Sequence, residues 1–293
     1  MTPLLGAHLS IAGGVDKAIE RARALRCTTL QIFTANNMQW ACRPLATDEI
    51  ERFLQVRREA GIEPIFSHAG YLINLGAIKP SFYQQSIRAL ADELGRAAAL
   101  RLPFVVLHPG SHMGRGEEAG MKQIASALNA VFTNHESRTT SHAPPRIALE
   151  VTAGQGNSLG HRFEHLARIY ELVKRPERLA ICLDTCHLFA AGYDIRAKQG
   201  YEQTMRELDR VLGIEQVVAI HVNDSKMPLG SRLDRHAHIG KGHLGVELFR
   251  FLMNDPRFRN VPKVLETPKG AEVRGVGRMD RVNLATLRRL VRR

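Results

Sequence analysis

The chain of 293 residues contains no run of 18 or more apolar residues, although 44% of its residues are hydrophobic. A helix that crosses a membrane needs about 20 such residues in succession. The sequence also lacks the basic segment followed by a long apolar stretch that is typical of a secretory signal. We therefore expect a cytoplasmic protein that makes no contact with a membrane.

Cysteine is scarce: Cys27, Cys42, Cys182 and Cys186 are the only four, and their spacing fits neither a zinc finger nor a secreted disulfide framework. The fold therefore does not depend on disulfides. Cys182 and Cys186 flank Asp184, and we expect both to be small buried side chains beside a site.

Proline, glycine and serine never gather into a linker, and the sequence has no low-complexity stretch or tandem repeat. A chain of this length can form an α/β barrel as a single unit. We predict one domain that spans residues 1–293.

Acidic residues are in deficit, since 29 Asp and Glu stand against 41 Lys and Arg and leave a formal net charge of +12. Basic groups gain affinity for a polyanion by displacing counterions from its phosphates. The composition therefore favours nucleic acid as a partner, although a merely basic surface would give the same count.

Eight short β-rich runs alternate with segments of helical character, and their ends lie 25 to 45 residues apart. This alternation is typical of parallel strands joined by crossover helices. Eight such units predict a single (β/α)8 TIM barrel, whose active site would lie at the carboxyl ends of the strands. The predicted strands end near His8, Phe33, His68, His108, Glu150, Asp184, His221 and Glu266.

Two connecting segments show helical signals. After the second strand, Thr47 or Asp48 can cap a helix that ends at Gly61. Between the third and fourth strands a helix is expected to start at Pro80 and to bury apolar residues spaced three or four apart. These residues are Ile87, Leu90, Ala91, Leu94 and Ala98.

The third to the eighth predicted strands each end on a histidine or an acid, and two nearby segments add three more such groups. A single histidine at a strand end is more often a packing residue. Burying this many ionisable groups in one barrel mouth without metals would, however, be costly. Imidazole with carboxylate suits zinc, with manganese or iron as poorer fits, and nine groups are too many for one ion. The nine are His68, His108, Glu150, Asp184, His187, His221, Asp234, His236 and Glu266.

Nearly the whole chain resembles the endonuclease IV family of apurinic/apyrimidinic (AP) endonucleases. The resemblance lies in a series of motifs that occur in the order and spacing of that family. They are GAHLSIAGG, FTANNMQW, SHAGYLINL, LHPGSH, LEVTAGQG, CLDTCHLFAAGYD, HVNDSK, DRHAHIGKGHLG and LETPKG.

The resemblance implies a TIM barrel with three zinc ions per chain, acting as a monomer on double-stranded DNA that contains abasic sites. All nine family ligand positions carry a matching residue type. The implied ligands are His68, His108 and Glu150 for the first ion, Glu150, Asp184, His221 and Glu266 for the second, and His187, Asp234 and His236 for the third.

The implied reaction is hydrolysis of the phosphodiester 5′ to the abasic site, which leaves a 3′-hydroxyl and a 5′-deoxyribose phosphate. Such an enzyme would serve base excision repair in the cytoplasm, at the nucleoid of a prokaryote. Glu150 is the candidate catalytic residue, either orienting the nucleophile or acting only as a bridging ligand.

The resemblance also implies that side chains from two loops enter the duplex and fill the gap at the missing base. The matching residues here are Met38, Gln39, Tyr71 and Leu72. Family members often carry arginine where this chain has Met38, and a larger residue where it has Gly70. Tyr71 and Leu72 could instead simply pack their loop against the barrel.

Polar residues after the seventh strand are further candidates for DNA contact, because this region of a barrel commonly binds phosphate. They are Asn223, Lys226, Arg235 and Lys241. Each of the three basic residues could equally be a solvated surface charge.

Two other functions fit a barrel of this kind. A sugar isomerase would favour a two-metal, oxygen-rich site, often with a lysine ligand, and would not need a strongly basic chain. A non-catalytic lesion-binding protein would lack some metal ligands, whereas none is missing here.

Overall fold

Short apolar runs of this sequence form strands that pair side by side into a closed barrel. The computed structural model describes residues 3–136, 143–273 and 275–292. The strands are β1 (Leu5–Leu9), β2 (Leu30–Ile32), β3 (Ile65–His68), β4 (Phe104–Leu107), β5 (Arg146–Glu150), β6 (Leu179–Asp184), β7 (Val217–His221) and β10 (Lys263–Leu265). The barrel order is β1-β10-β7-β6-β5-β4-β3-β2, and every neighbouring pair is parallel.

The TIM barrel predicted from the sequence is therefore confirmed. Small differences occur at the strand ends, because the hydrogen-bonded ladder stops where the chain turns outward. Strands β2, β4 and β10 end one residue before the predicted Phe33, His108 and Glu266, while β1 continues to Leu9, one residue past His8.

Side chains alternate between the two faces of each barrel strand, as the pleat of a strand requires. One alternating set fills the barrel interior, where the rings of Phe66 and Phe104 lie 4.7 Å apart. The other set, including Leu5, Ile65 and Val105, packs outward against the helices. The interior set comprises Phe66, Phe104, Val106, Ala148, Ala180, Cys182, Ala219 and Val264.

Helices follow the strands in the order that the sequence predicted. Within the described residues they are α1 (Val15–Ala24), α2 (Thr47–Ala60), α3 (Pro80–Ala99), α4 (Glu117–Glu136), α5 (Phe163–Leu172), α6 (Thr185–Ala191), α7 (Lys198–Leu212), α8 (Val246–Met253) and α9 (Arg278–Leu290), with short 3-10 turns at Pro176–Arg178, Ile214–Gln216 and Pro256–Phe258.

The predicted apolar face of α3 is buried at Ile87, Leu90, Ala91 and Leu94, and Pro80 is its first residue. Ala98 is only partly buried, because Ala97 takes the inward place in the last turn.

The predicted cap of α2, Thr47 or Asp48, was wrong by one or two residues. The helix already includes Thr47, so Ala46 is the N-cap residue, and the Ala46 backbone N–H donates to Glu49 Oε2 at 2.9 Å. Gly61 ends the helix as predicted, in the left-handed conformation with φ 60° that glycine adopts easily.

Additional elements build the carboxyl end of the barrel, which we call the mouth. Helix α6 begins immediately after β6, and two short antiparallel hairpins follow β7 and β10. The strands of the hairpins are β8 (Asp224–Ser225) with β9 (His236–Ala237), and β11 (Glu272–Val273) with β12 (Val276–Gly277).

No helix in the described part of the chain combines the length and the apolar character that a membrane span requires.

A prediction concerns Gly6, which lies where β1 and β2 approach each other. A Cβ atom at this position would lie 2.0 Å from the backbone oxygen of Thr29. We expect Gly6→Ala to lower the free energy of unfolding by about 3 kcal/mol, because backbone atoms cannot move aside cheaply. Denaturant unfolding of the metal-free protein measures this change.

The matched control is Gly95→Ala in α3, where a new Cβ meets no atom within 4 Å. That substitution should be neutral or stabilise the protein by up to about 1 kcal/mol through helix propensity. Equal stabilities for the two variants would contradict the close approach of β1 and β2.

Candidate metal centre

The side chains at the mouth continue the inward-facing pattern of the barrel strands. Each of six polar residues lies two positions beyond an apolar residue of the interior set, so the same pleat turns both inward. Polar groups from six strands thereby converge on the axis of the barrel. The pairs are Phe66 with His68, Val106 with His108, Ala148 with Glu150, Cys182 with Asp184, Ala219 with His221, and Val264 with Glu266.

Glu150 is the centre of this cluster and is completely buried. Its Oε2 atom lies 3.2 Å from Nε2 of His68 and 3.0 Å from Nε2 of His108. These three side chains form one group whose ligand atoms all lie within 4.8 Å of one another.

A second group shares the Glu150 carboxylate. Nδ1 of His221 lies 2.9 Å from Glu150 Oε1, 3.2 Å from Glu266 Oε2 and 3.9 Å from Asp184 Oδ2. Three carboxylates and one imidazole therefore face a common point, again with their ligand atoms within 4.8 Å of one another.

The third group depends on two of the mouth elements. Asp184 caps α6 by accepting the backbone N–H of His187 at 2.9 Å, which places the imidazole of His187 on the first turn beside the cluster. The hairpin of β8 and β9 brings in Asp234 and His236 from the other side. The two oxygens of Asp234 each lie 3.1 Å from an imidazole Nε2, one of His187 and one of His236.

Three of the histidines present the same nitrogen to the cluster, because their other ring nitrogen is occupied. Each donates Nδ1–H to a backbone carbonyl, which leaves Nε2 as the nitrogen directed at the carboxylates. Backbone partners of this kind are common behind histidines that bind metals. The donor and acceptor pairs are His68 with Ala69 at 2.7 Å, His187 with Val151 at 2.9 Å, and His236 with Glu266 at 3.2 Å.

The arrangement fits divalent cations better than hydrogen bonds. Nε2 of His187 and Nε2 of His236 are buried and have no hydrogen-bond partner among the described residues, although a carboxylate oxygen lies close to each. A cation between nitrogen and oxygen would satisfy both atoms. The mixture of imidazole and carboxylate ligands is the set that zinc favours.

The electrostatics of the cluster show the same demand for positive charge. Burial opposes charge on His187, yet the carboxylates of Asp184 and Asp234 raise its pKa well above the ordinary value. The same balance raises the pKa of His236 to about 9. Burial also disfavours the charged form of Glu150, but His221 and His108 hold its pKa well below the ordinary value.

Two other clusters are weaker metal candidates. Cys186 lies near Asp184 and His236, but burial raises the pKa of its thiol to about 12, so the thiolate that a metal needs is scarce. Glu117 lies near His161 and His165, and it already has a cationic partner. Nη2 of Arg162 lies 2.6 Å from Glu117 Oε2.

The whole chain has close relatives among known proteins. A family model described as "Xylose isomerase-like TIM barrel" matches residues 19–282. A protein of Chloroflexus aggregans named "Probable endonuclease 4" is 49% identical over 290 residues, covering 99% of this chain and 98% of the relative. The crystal structure of endonuclease IV from Thermus thermophilus superposes with a TM-score of 0.85 at 39% identity, covering 98% of both chains.

The chain belongs to the endonuclease IV family.

Membership of this family of AP endonucleases supports a nuclease that hydrolyses DNA in repair. The likeness to sugar-converting barrels shows the fold alone. A D-tagatose 3-epimerase-like protein, for example, superposes with a TM-score of 0.67 at 17% identity, covering 96% of this chain and 94% of the other.

The residues predicted to enter DNA lie on loops at the mouth of this endonuclease IV fold. Met38 and Tyr71 are 64% and 62% exposed, which is unusual for large apolar side chains and leaves both free to meet a partner. Gln39 is exposed, whereas Leu72 is partly buried beside Trp40. Their contacts with DNA remain predictions.

The basic residues predicted near the mouth are exposed as well. Lys226 and Arg235 face each other across the hairpin of β8 and β9, where the Lys226 backbone N–H donates to the Arg235 carbonyl at 2.9 Å. Lys241 lies on the loop that follows β9.

Asn223 requires a correction, because a direct contact with DNA is incompatible with its position. It is completely buried, donates from Nδ2 to Asp184 Oδ2 at 2.7 Å and accepts the Glu266 backbone N–H at 2.8 Å. Its amide therefore orients predicted metal ligands.

The sequence prediction missed two polar residues on the first two strands. Gln31 and His8 face inward and contact the cluster through Glu266. A polar residue within the apolar run TLQIF was the available signal for Gln31, since an inward position in such a strand is otherwise apolar.

A prediction follows from the raised pKa values of the clustered histidines. Metal-free protein at pH 7 should hold protons on His187, His221 and His236, and a metal must displace them. Zinc binding at pH 7 should therefore release protons, and the apparent affinity should rise with pH as His236 loses its proton near its pKa of about 9. Calorimetric titration in two buffers of different ionisation enthalpy counts the protons released.

The same titration at pH 10 is the control, because His236 should then bind zinc without losing a proton. Equal proton release at the two pH values, or none at pH 7, would contradict the protonated state of the metal-free cluster.

Proposed function

We propose that this protein is a zinc-dependent AP endonuclease that hydrolyses the phosphodiester 5′ to an abasic site in duplex DNA, leaving a 3′-hydroxyl and a 5′-deoxyribose phosphate. The observation that carries the proposal is the cluster of nine imidazole and carboxylate side chains in three groups at the mouth of an endonuclease IV barrel. The basic composition of the chain supports a DNA substrate.

Each group would hold one zinc ion, which gives three ions per chain. His68, His108 and Glu150 would hold the first, and Glu150 would also serve the second together with Asp184, His221 and Glu266. His187, Asp234 and His236 would hold the third. Zinc bound there would supply the Lewis acidity that activates water near neutral pH and stabilises charge on a phosphate.

The protein's own side chains set the polarity of the site. Four carboxylates in the cluster would be neutralised by divalent ions with positive charge to spare, so a phosphate is attracted rather than repelled. Glu150 is completely buried and contacts four imidazoles, His68, His108, His187 and His221, which restricts it to one orientation. We assign to Glu150 the role of fixing the first two zinc ions, and with them the reacting groups, at constant relative positions.

Exposed basic side chains at the mouth would bind phosphates of the DNA that flanks the abasic site. Lys226, Arg235 and Lys241 lie on the segments after β7, next to the third group of ligands. Their side chains reach solvent and would contact phosphates rather than base edges, which suits an enzyme that reads no sequence.

Selection of the abasic site would depend on the loops after β2 and β3. The Tyr71 ring packs edge-on against the Phe33 ring, with the two centroids 5.5 Å apart, and Tyr71 nevertheless remains 62% exposed. Extruding a nucleotide without a base costs least, and an inserted ring recovers part of the lost stacking. Met38, Gln39 and Leu72 would line the same contact.

Several further predictions from the sequence belong to this proposal. We propose that residues 1–293 act as one domain, as a monomer without an obligate protein partner, in the cytoplasm. Light scattering of the purified protein with and without DNA tests the oligomeric state.

The proposed function is tested with an end-labelled duplex that carries one tetrahydrofuran abasic analogue, together with metal analysis of the protein. This analogue cannot undergo β-elimination, so only hydrolysis can cut it. We expect one incision on its 5′ side, close to three zinc ions per chain, and loss of activity after prolonged chelation. No incision by fully metal-loaded protein would overturn the proposal and reopen the sugar isomerase and lesion-binding alternatives.

Glu150→Gln is the variant that controls this experiment. It keeps the shape of the side chain but removes the charge that both the metals and the imidazoles require. Cleavage should fall by about 100-fold or more while binding to abasic DNA persists. A fully active variant would exclude the bridging role of Glu150.

A separate prediction concerns Tyr71, the exposed ring that is proposed to enter the duplex. Tyr71→Ala should weaken binding to abasic duplex by about 10-fold or more and leave binding to intact duplex nearly unchanged, because one stacking contact is lost. Fluorescence anisotropy with both duplexes measures the ratio.

The matched control is Val282→Ala, which also shortens an exposed apolar side chain but lies on α9 in the outer layer. It should change neither affinity. Equal losses on both duplexes for Tyr71→Ala would mean that Tyr71 only packs its loop.

A further inference from the structure

Gln31 is the one amide that the barrel strand β2 presents to the metal cluster. It occupies the inward position between Leu30 and Ile32, which pack outward, and it is completely buried. No solvent can satisfy its polar atoms there, so each must be paired within the protein.

The amide spans two predicted ligands of the second zinc. Its Oε1 accepts from Nε2 of His221 at 2.8 Å, and its Nε2 donates to Glu266 Oε1 at 2.5 Å. The remaining N–H of the amide faces Nδ1 of His8 at 2.8 Å.

The orientation of the amide is fixed by charge. With oxygen and nitrogen exchanged, the amide carbonyl would lie against the Glu266 carboxylate, which can only accept hydrogen bonds. This repulsion excludes the exchanged orientation, so the carbonyl oxygen faces Nε2 of His221 and requires a proton there.

This orientation determines which nitrogen of His221 can bind a metal. Nε2–H is used by Gln31, so Nδ1, which faces the carboxylates of Glu150 and Glu266, is the nitrogen left to bind a metal. The same amide also holds one oxygen of Glu266, which leaves its other oxygen, Oε2, for the cluster.

We propose that Gln31 is a positioning residue of the metal centre, which fixes the tautomer of His221 and the rotamer of Glu266 and thereby sets the affinity for the second metal ion. The inference rests on the proposed metal centre and adds to it a residue outside the nine ligands. Residues behind the ligands commonly change metal affinity by roughly 10- to 100-fold when they are replaced.

The deciding variant is Gln31→Met, which has a similar length and shape but cannot hydrogen-bond to either ligand. The protein is loaded with zinc, and the metal retained per chain is measured against increasing concentrations of a chelator. We expect one of the zinc ions to be held about 10- to 100-fold more weakly than in the wild type, with the others unchanged.

A spectroscopic readout separates positioning from general stability. In zinc-loaded protein with ¹⁵N-labelled histidine, the Nε2–H of His221 should give a resolved signal that exchanges slowly with water. This signal should exchange much faster or disappear in Gln31→Met, because its acceptor is gone.

Thr29→Val is the matched control. Thr29 lies two residues before Gln31 and is also buried. Its hydroxyl, however, donates to the Pro64 carbonyl at 2.6 Å rather than to a predicted ligand. The variant should unfold at a lower temperature and keep wild-type metal affinity and the His221 signal. If it loses zinc as readily as Gln31→Met, the effect is general destabilisation and the inference is overturned.

Gln31→Asn provides a second test if Gln31→Met does not fold. Its amide is one methylene shorter and cannot reach His221 and Glu266 together, so the same loss of one zinc is expected. Wild-type zinc affinity in either folded variant would overturn the inference.

The proposed function and this inference fail in different ways. Wild-type protein that binds no metal would overturn both. Metal binding without cleavage of abasic DNA would overturn the proposed reaction alone, and the affinities of the Gln31 variants would still decide the role of Gln31.

Discussion

The site of this protein depends on one geometric constraint, the two-residue alternation of side chains along strands that are closed into a barrel. Apolar residues at one parity fill the interior, and the polar residues two positions further on must point the same way. Closure brings six such positions together at one mouth. A shift of one residue in any strand would turn its ligand outward to the helices, which makes the register of each strand essential to the site.

The buried carboxylates of this cluster could not be stable beside histidines that were all neutral. Buried carboxylates require positive charge, and the histidines around Glu150 supply it through raised pKa values when no other cation is present. Divalent metals would satisfy the same demand more fully, since they would also pair the buried Nε2 atoms of His187 and His236. In the proposed metal centre, protons and metal ions would therefore compete for the same atoms.

A second layer of neutral dipoles keeps these charged groups in place. Backbone carbonyls hold three imidazole rings, while the amides of Gln31 and Asn223 hold His221, Glu266 and Asp184. Neutral partners orient the ligands without adding charge to a crowded pocket. Tyr71 and Met38 are exposed on loops at the mouth, and the Tyr71 ring centroid lies 6.1 Å from that of His68.

The sequence by itself determined the barrel, the order of its strands and the nine candidate ligands. Six of these ligands end apolar runs, which report both the strand and its mouth, and the other three lie in the segments CLDTCH and DRHAH. It could not determine what lies behind the ligands. Asn223 looked like a surface contact and Gln31 like part of an apolar strand, and only closure of the barrel made both buried partners of the cluster. Hydrogen bonds such as that between Gln31 and His221 join residues far apart in the chain. The tertiary structure alone decides them, because a distance across the barrel leaves no trace in local sequence pattern.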